Sequence, residues 1–174
     1  MKYPRSTRYD FAMVREKMMG PNPIKLEEEL LQHHQIPPRA TVLDLGSGMG
    51  LTSVFLAKEY GFTVYAADLW SDPEENRAFF AQQGLSESQI IPVHTDATNL
   101  PFEADFFDAV VSIDSWNYFG RDPEYLDQKI VTLSSVTRAY LYRDSRDEKG
   151  LPRTITCRIV TFVDSGPAGI HAGH

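Results

Sequence analysis

The sequence of 174 residues predicts an α/β fold, in which helices cover both faces of a largely parallel sheet. Apolar runs of strand length alternate with segments that show helical periodicity and helix-capping residues. The run at residues 41–45 leads into three closely spaced glycines and then a helix, and the run at 63–68 ends in a carboxylate. Strands and helices that alternate in this order are typical of β-α-β units with parallel strands.

The first 40 residues show no strand pattern and are predicted to be largely helical. Residues 1–9 are polar and are expected to be mobile. Residues 10–19 are predicted to form a helix capped by Asp10, and residues 24–34 a second helix. The Gly-Pro-Asn-Pro stretch at 20–23 is a good turn between them, and a direct contact with a ligand is its alternative role.

The glycine turn after the first predicted strand is the most informative stretch of the chain. Gly46, Gly48 and Gly50 read G-x-G-x-G, which differs from the G-x-G-x-x-G of a dinucleotide site. Glycine permits a tight turn and lets a ligand approach the main chain, because it has no Cβ. A strand, a glycine turn and a helix (here 51–60) also occur in many α/β proteins, so this stretch alone leaves an ordinary α/β domain open.

Asp68 ends the second predicted strand, and its carboxylate favours a ligand site over an ordinary α/β domain. In a β-loop-α-β unit, a carboxylate there lies at the carboxyl end of the neighbouring strand, where it can accept bonds from both hydroxyls of a ribose. The alternation then continues with a predicted helix at 73–84, strands at 90–94 and 109–113, and a helix at 122–130.

Asp44, the three glycines and Asp68 together resemble the cofactor site of the class I S-adenosylmethionine-dependent methyltransferases of the small-molecule type. The resemblance covers about residues 10–130 and implies a Rossmann-like sheet, S-adenosyl-L-methionine as cofactor, and methyl transfer to an unidentified, small-molecule acceptor. The residues that it implies for cofactor binding are Asp44, Gly46, Ser47, Gly48, Gly50, Asp68, Leu69, Asp96, Ala97 and Ser112.

The resemblance implies a role for several of these residues. The glycines let the methionine end of the cofactor lie against the backbone, and Asp44 lies near its amino group. Leu69 or Trp70 packs on the adenine ring, although Trp70 suits a core or interface position equally well. Asp96 bonds the adenine amino group, with the backbone N–H of Ala97 on a ring nitrogen; alternatively, Asp96 only caps the turn that follows it.

No catalytic residue is assigned. The loop after the strand at 109–113 follows the carboxyl end of that strand, where ligands bind in open α/β sheets. A general base is needed only if the attacking atom must lose a proton, and Asp114, Tyr118 and His94 are candidates from their location alone.

The tail departs from the resemblance at about residue 131. We therefore divide the chain into an N-terminal helical cap (1–40), an S-adenosylmethionine-binding core (41–130) and an atypical C-terminal tail (131–174), and expect the normal C-terminal strands to be lacking. A shift of one nucleotide in the back-translated tail permits the expected strand and turn, so we hypothesise a change of reading frame near residue 130. Alternatively, residues 154–163, which are rich in β-branched side chains, form a strand at the free edge.

Composition limits the class of protein and its partners. The net charge of −7 argues against a nucleic acid partner, and the single cysteine, Cys157, excludes an intrachain disulfide. No apolar run is long enough to span a bilayer, so we expect a cytoplasmic protein without a membrane partner. We expect no metal site, because the adjacent His33 and His34 point in different directions and lack a carboxylate–histidine pattern.

Alternatives to an active methyltransferase remain at this point. One is a non-catalytic or truncated protein that binds S-adenosylmethionine or a nucleotide on the same fold, and another is a nucleotide-binding oxidoreductase with a degenerate phosphate loop. A sheet edge left uncovered by the tail would also favour a homo-oligomer.

Overall fold

The computed structural model describes residues 2–32, 36–119, 124–125, 129–133, 140–146 and 152–158. It contains six strands in one sheet: β1 (Thr41–Leu45), β2 (Thr63–Asp68), β3 (Ile90–His94), β4 (Ala109–Ile113), β5 (Tyr140–Arg146) and β6 (Pro152–Arg158). The helices are α1 (Phe11–Lys17), α2 (Pro23–Leu31), α3 (Leu51–Tyr60), α4 (Pro73–Gln82) and α5 (Trp116–Phe119). The strand order is β3-β2-β1-β4-β5-β6. The predicted α/β class is therefore confirmed, and the predicted strands at 41–45, 63–68, 90–94 and 109–113 form.

The centre of the sheet is β1, which pairs in parallel with β2 on one side and with β4 on the other. A carboxylate fixes the start of this pairing, because Asp108 Oδ2 accepts a hydrogen bond from the backbone N–H of Thr41 at 2.8 Å. Parallel strands bring their carboxyl ends to one edge of the sheet. The loops that follow β1, β2, β3 and β4 consequently gather at that edge.

Each face of the sheet has its own apolar core, because side chains alternate between the faces along a strand. On β1, Val42 belongs to the core that also includes residues of α2, α3 and α4, whereas Leu43 and Leu45 belong to the opposite core with Phe107. This alternation puts Asp44 on the same face as Val42. Its carboxylate is therefore directed toward the face that α2 and α3 cover.

The N-terminal segment folds onto the domain, so the expectation that residues 1–9 are mobile is wrong for Arg5 and Ser6. Their backbone N–H groups donate to the two carboxylate oxygens of Glu28, at 2.9 and 2.8 Å. The guanidinium of Arg5 also lies 4.2 Å from the centre of the Tyr60 ring. Sequence reasoning missed this because a polar segment is held here by a buried carboxylate on α2 rather than by apolar burial.

The tail continues the sheet beyond β4. β5 pairs with β4 in parallel, and β6 pairs with β5 antiparallel. The alternative expectation of a strand within 154–163 is thus met by β6, which begins and ends earlier. The described sheet thus has six strands, two of which come from the tail. The homo-oligomer stays a prediction, but an uncovered edge at β4 no longer supports it, because β5 pairs with β4. The change of reading frame also stays a prediction.

Some expectations fall on residues that are not described. Most of the predicted helix at 122–130 lies outside the described residues, as do His33 and His34. Within the described ranges, no helix is both long enough and apolar enough to cross a bilayer.

Candidate functional site

A cavity of about 420 Å³ opens at the carboxyl edge of the sheet. The loops after β1 to β4 form most of its wall, and the turn between α1 and α2 closes one side. The expected cofactor residues on this wall are Gly46, Ser47, Gly48, Asp68, Leu69, Asp96 and Ala97. Asp44, Gly50 and Ser112 are not on the wall, and neither is the general-base candidate His94.

The three glycines of the turn have left-handed backbones, with φ values of 78°, 53° and 81° for Gly46, Gly48 and Gly50. Each would bring an added Cβ against a different side chain. A Cβ on Gly46 would lie 2.4 Å from Ser115 Cβ, and one on Gly50 would lie 2.4 Å from Phe80 Cε1. Gly46 and Gly50 therefore lack side chains because other parts of the protein occupy the space.

Gly48 is the glycine whose bare surface is open to a ligand. A Cβ there would lie 2.7 Å from Cε of Met19, whose side chain is 77% exposed. The end of an exposed, unbranched methionine can move aside at little cost. The sequence predicted one role for all three glycines, but only Gly46 and Gly48 lie on the cavity wall, and packing explains the missing side chains of Gly46 and Gly50.

Asp68 lies on the wall beside the glycine turn, and three backbone N–H groups fix its carboxylate. Oδ2 accepts from Gly48 at 2.9 Å, and Oδ1 accepts from Trp70 at 2.8 Å and from Ser71 at 2.9 Å. A carboxylate offers about four acceptor positions, so Oδ2 retains one for a further donor. A further donor at Oδ1, in contrast, would have to displace one of its two backbone bonds.

Asp96 caps the short 3₁₀ turn Ala97–Asn99, as its alternative role predicted. Its Oδ1 accepts from the backbone N–H and from the hydroxyl of Thr98, both at 2.8 Å. These bonds favour the ionised form and lower the pKa of Asp96. Capping does not remove the residue from the site, because Asp96 is exposed on the wall and its described bonds use only Oδ1.

The mouth of the cavity carries two exposed aromatic side chains from different loops. Trp70 follows β2 and is 72% exposed, and Tyr118 follows β4 and is 64% exposed. Their ring centres lie 5.2 Å apart in an edge-to-face arrangement. Trp70 is thus not a core residue of the described structure, and it lies with Leu69 on the cavity wall.

Asp114 reaches the same mouth from the other side. It has a left-handed backbone, with a φ of 56°, and a Cβ added to Gly20 would lie 2.7 Å from its Oδ2. The turn between the first two helices therefore passes close over this carboxylate because Gly20 has no side chain. Asp114 and Tyr118 both line the cavity, and this keeps them as candidates for contact with an acceptor.

Ser112 supports the glycine turn from behind. Ser115 Oγ donates to the backbone carbonyl of Leu45 at 2.9 Å, and the Ser112 and Ser115 hydroxyls are 2.8 Å apart. Since a hydroxyl has one hydrogen, Ser112 must donate to Ser115. Ser112 therefore positions the side chain that packs on Gly46, rather than lining the cavity itself.

Asp44 is fully buried one layer behind the wall. Its Oδ2 accepts from the hydroxyls of Thr52 and Ser53, both at 2.6 Å, and Thr52 itself lines the cavity. Burial raises the pKa of Asp44 to about 6, although these two bonds oppose the rise. Among the described residues, Oδ1 of Asp44 has no hydrogen-bond partner.

Glu27 on α2 is a second buried acid that sequence reasoning missed. It is fully buried, and neither carboxylate oxygen has a partner among the described residues. Burial raises the pKa of Glu27 well above its usual range, and the nearby charge of Asp44 raises it further. The sequence offered no signal for it, because Glu27 is the first of three consecutive glutamates on a helix, and such a run usually faces solvent.

The fold and the placement of the glycine turn and Asp68 at one cavity are those of the Rossmann-like class. Residues 42–134, more than half of the chain, match the family model described as a methyltransferase domain. The chain therefore belongs to the methyltransferase domain family.

Individual relatives agree with this assignment. The chain is 32% identical, over 111 residues, to a probable chloroplastic tocopherol O-methyltransferase from Oryza sativa subsp. japonica, and the match covers 60% of this chain and 30% of that protein. This chain thus spans about 30% of the length of that curated relative.

Solved structures show the same fold. A SAM-dependent methyltransferase from Aquifex aeolicus superposes with a TM-score of 0.64 at 18% identity, covering 83% of this chain and 79% of that one. The geranyl diphosphate C-methyltransferase from Streptomyces coelicolor A3(2), solved with Mg²⁺, geranyl diphosphate and S-adenosyl-L-homocysteine, has a TM-score of 0.61 at 19% identity, covering 69% and 45%.

Proposed function

We propose that this chain binds S-adenosyl-L-methionine and transfers its methyl group to a small-molecule acceptor. The observation that carries the proposal is the position of the Asp68 carboxylate, which lies on the cavity wall and is bonded to the backbone of Gly48. A carboxylate held beside a bare glycine suits a nucleoside whose sugar meets the acid while the rest of the ligand rests on the main chain.

The residues of the cavity fit this cofactor. Oδ2 of Asp68 has room for a ribose hydroxyl, and Asp96 with Ala97 offers a carboxylate and a backbone N–H for the adenine edge. Leu69 and Trp70 supply apolar surface for its face. The sulfonium of S-adenosylmethionine, when bound, supplies an electrophilic methyl group, so the protein's contribution is binding and alignment.

We place the acceptor end of the cavity beside Asp114 and Tyr118, which follow β4. A volume of about 420 Å³ lies in the range of small-molecule pockets. The names of the rice relative and of the Streptomyces enzyme, a tocopherol and a geranyl diphosphate methyltransferase, support a small organic acceptor. Asp114 or Tyr118 would accept the proton of an acceptor that must lose one.

The division of the chain follows from the same cavity. We propose that residues 1–40 act as a cap on the core at 41–130, because Met19, Gly20 and Pro21 form one side of the cavity wall. The tail after residue 131 adds β5 and β6 at the sheet edge and contributes nothing to the described wall of the cavity.

Calorimetric titration with S-adenosylhomocysteine, with NADH as a comparison, tests the proposal. We expect S-adenosylhomocysteine to bind and NADH not to bind. Asp68→Asn keeps the size of the side chain but removes its charge, and should weaken binding about ten- to hundredfold, the range of a charge-assisted hydrogen bond. Asp72→Asn is the matched control, because asparagine is also a good N-cap for α4. Absence of binding to the unaltered chain would contradict the proposal.

A further inference from the structure

A closed cycle of hydrogen bonds joins the glycine turn to the end of β2 and to α4. Asp68 Oδ2 accepts from the backbone N–H of Gly48 at 2.9 Å, and Nδ2 of Asn76 donates to the backbone carbonyl of the same glycine at 3.0 Å. Nδ2 of Asn76 also donates to Ser71 Oγ at 3.3 Å, and the N–H of Ser71 donates to Asp68 Oδ1 at 2.9 Å. Both backbone polar groups of Gly48 are therefore bonded to side chains, one at the end of β2 and one on α4.

The amide of Asn76 suits its place in this cycle. Asn76 lies near the start of α4 and is only 5% exposed. Its nitrogen carries two hydrogens, and the cycle offers two acceptors for them, the carbonyl of Gly48 and the hydroxyl of Ser71. Sequence reasoning missed Asn76 because it stands among charged residues at 74–77, and such a run usually faces solvent.

We propose that Asn76 is a positioning residue for the cofactor, and that it acts through Gly48 and Asp68. This inference rests on the proposed function and deepens it, because it gives α4 the task of fixing the surface on which the nucleoside lies. Gly48 and Asp68 are on the described wall of the cavity, whereas Asn76 lies behind it. Asn76 therefore needs no contact with the ligand, since it holds the main chain that the ligand meets.

Loss of the amide should release both polar groups of Gly48. The carbonyl would lose its described partner at a buried position, which costs free energy until the carbonyl finds another donor. Glycine has the widest choice of backbone conformations, so Gly48 would leave its left-handed conformation, with a φ of 53°, and its N–H would leave Asp68 Oδ2. A ligand would then have to restore this arrangement on binding, and the free energy of doing so subtracts from its affinity.

Calorimetric titration with S-adenosylhomocysteine distinguishes positioning from a purely structural role. Asn76→Ala removes both donors of the cycle. Gln82→Ala is the matched control, because Gln82 is an exposed amide on the same helix. Gly84→Ala controls for a loss of stability outside the site, since its φ of 76° strains an alanine but nothing lies within 4 Å of the added Cβ.

We expect Asn76→Ala to weaken S-adenosylhomocysteine binding about five- to fiftyfold at a temperature where the variant is folded. Both controls should bind the ligand as the unaltered chain does. If folded Asn76→Ala keeps the affinity of the unaltered chain, its role is purely structural and the inference is wrong.

A measurement without ligand separates this inference from the proposed function. Amide hydrogen exchange, followed by NMR, reports how often each backbone N–H opens. In Asn76→Ala, the N–H of Gly48 should exchange about tenfold faster relative to those of Gly46 and Ser47, which bond to the Ala67 carbonyl at 2.8 and 3.1 Å. Equal changes at all three amides would overturn the inference even if the ligand binds. If the unaltered chain binds no S-adenosylhomocysteine while the Gly48 amide responds as expected, it is the proposed function that fails.

A third variant tests whether the donated hydrogen is the cause. Asn76→Asp keeps the shape of the side chain, but at pH 7.5 its carboxylate has no hydrogen for the Gly48 carbonyl, so it should bind S-adenosylhomocysteine no better than Asn76→Ala. Burial favours the neutral acid, whose O–H can donate, so the affinity of Asn76→Asp relative to Asn76→Ala should rise between pH 7.5 and about pH 5. Asp44, Asp68 and the glutamates at the start of α4 are present in both variants, so their effects cancel in this ratio. A ratio that does not rise would refute the role of the donated bond.

Discussion

Gly50 offers the sharpest test of what the glycine turn requires. Its φ of 81° lies in the left-handed region, and an added Cβ would lie 2.4 Å from Cε1 and 2.8 Å from Cζ of Phe80. Gly61 and Gly84 have similar φ values of 69° and 76°, but nothing lies within 4 Å of a Cβ at either position. Alanine substitutions at these three glycines therefore distinguish the cost of backbone strain from the cost of steric overlap.

The expected loss of stability follows from these distances. A left-handed backbone costs an alanine about 1–2 kcal/mol, and this term should be the whole effect of Gly61→Ala and Gly84→Ala. Gly50→Ala adds overpacking of a buried ring, which typically costs about 1–3 kcal/mol more. Gly50→Ala should therefore lower the free energy of unfolding by about 2–5 kcal/mol, a large part of the stability of a typical domain.

Urea unfolding followed by circular dichroism measures all three variants. A double-mutant cycle with Phe80→Leu checks the mechanism, because leucine lacks the ring atoms that meet the new Cβ; Gly50→Ala should cost less in that background. Equal losses for Gly50→Ala and Gly61→Ala would refute the steric argument. The affinity of the folded Gly50→Ala protein for S-adenosylhomocysteine should stay close to that of the unaltered chain, and a large drop would instead give Gly50 the ligand-contacting role that the sequence implied.

Two further predictions concern buried carboxylates. Glu28→Gln removes the charged acceptor of the backbone N–H groups of Arg5 and Ser6, so it should lower the free energy of unfolding in urea by about 1.5–3 kcal/mol. The same change at the exposed Glu16, the control, should leave that free energy almost unchanged. Trypsin should also cleave the Glu28→Gln variant faster at Arg5. The pKa of Asp44 is raised to about 6 in the folded chain and that of Glu27 is raised above its unfolded value, so the unfolded state binds fewer protons and stability falls as pH rises from about 4. The Asp44 contribution is on the order of 3 kcal/mol between pH 4 and 7, and a stability profile that rises over this range without ligand would contradict the assignment.

The sequence by itself determined the central β-α-β arrangement and the position of its ligand edge. The strand at 41–45, its glycine turn and the carboxylate at Asp68 are local signals, because apolar runs, backbone freedom and an acidic strand end all act over a few residues. Parallel pairing then brings the turn and Asp68 together, so their proximity follows from the topology alone. The cap at Asp10 could likewise be predicted from the sequence, since a capping side chain bonds to its own helix.

The tertiary structure alone decided which of these residues face the cavity and which support it. Gly50 meets Phe80 and Gly46 meets Ser115, and neither partner could be inferred from the spacing of the glycines. Glu27 became a buried acid beside Asp44 because α2 packs on the face of β1 that carries the even-numbered side chains. A sequence pattern records how each segment behaves on its own, whereas burial and clashes depend on contacts between segments far apart in the chain.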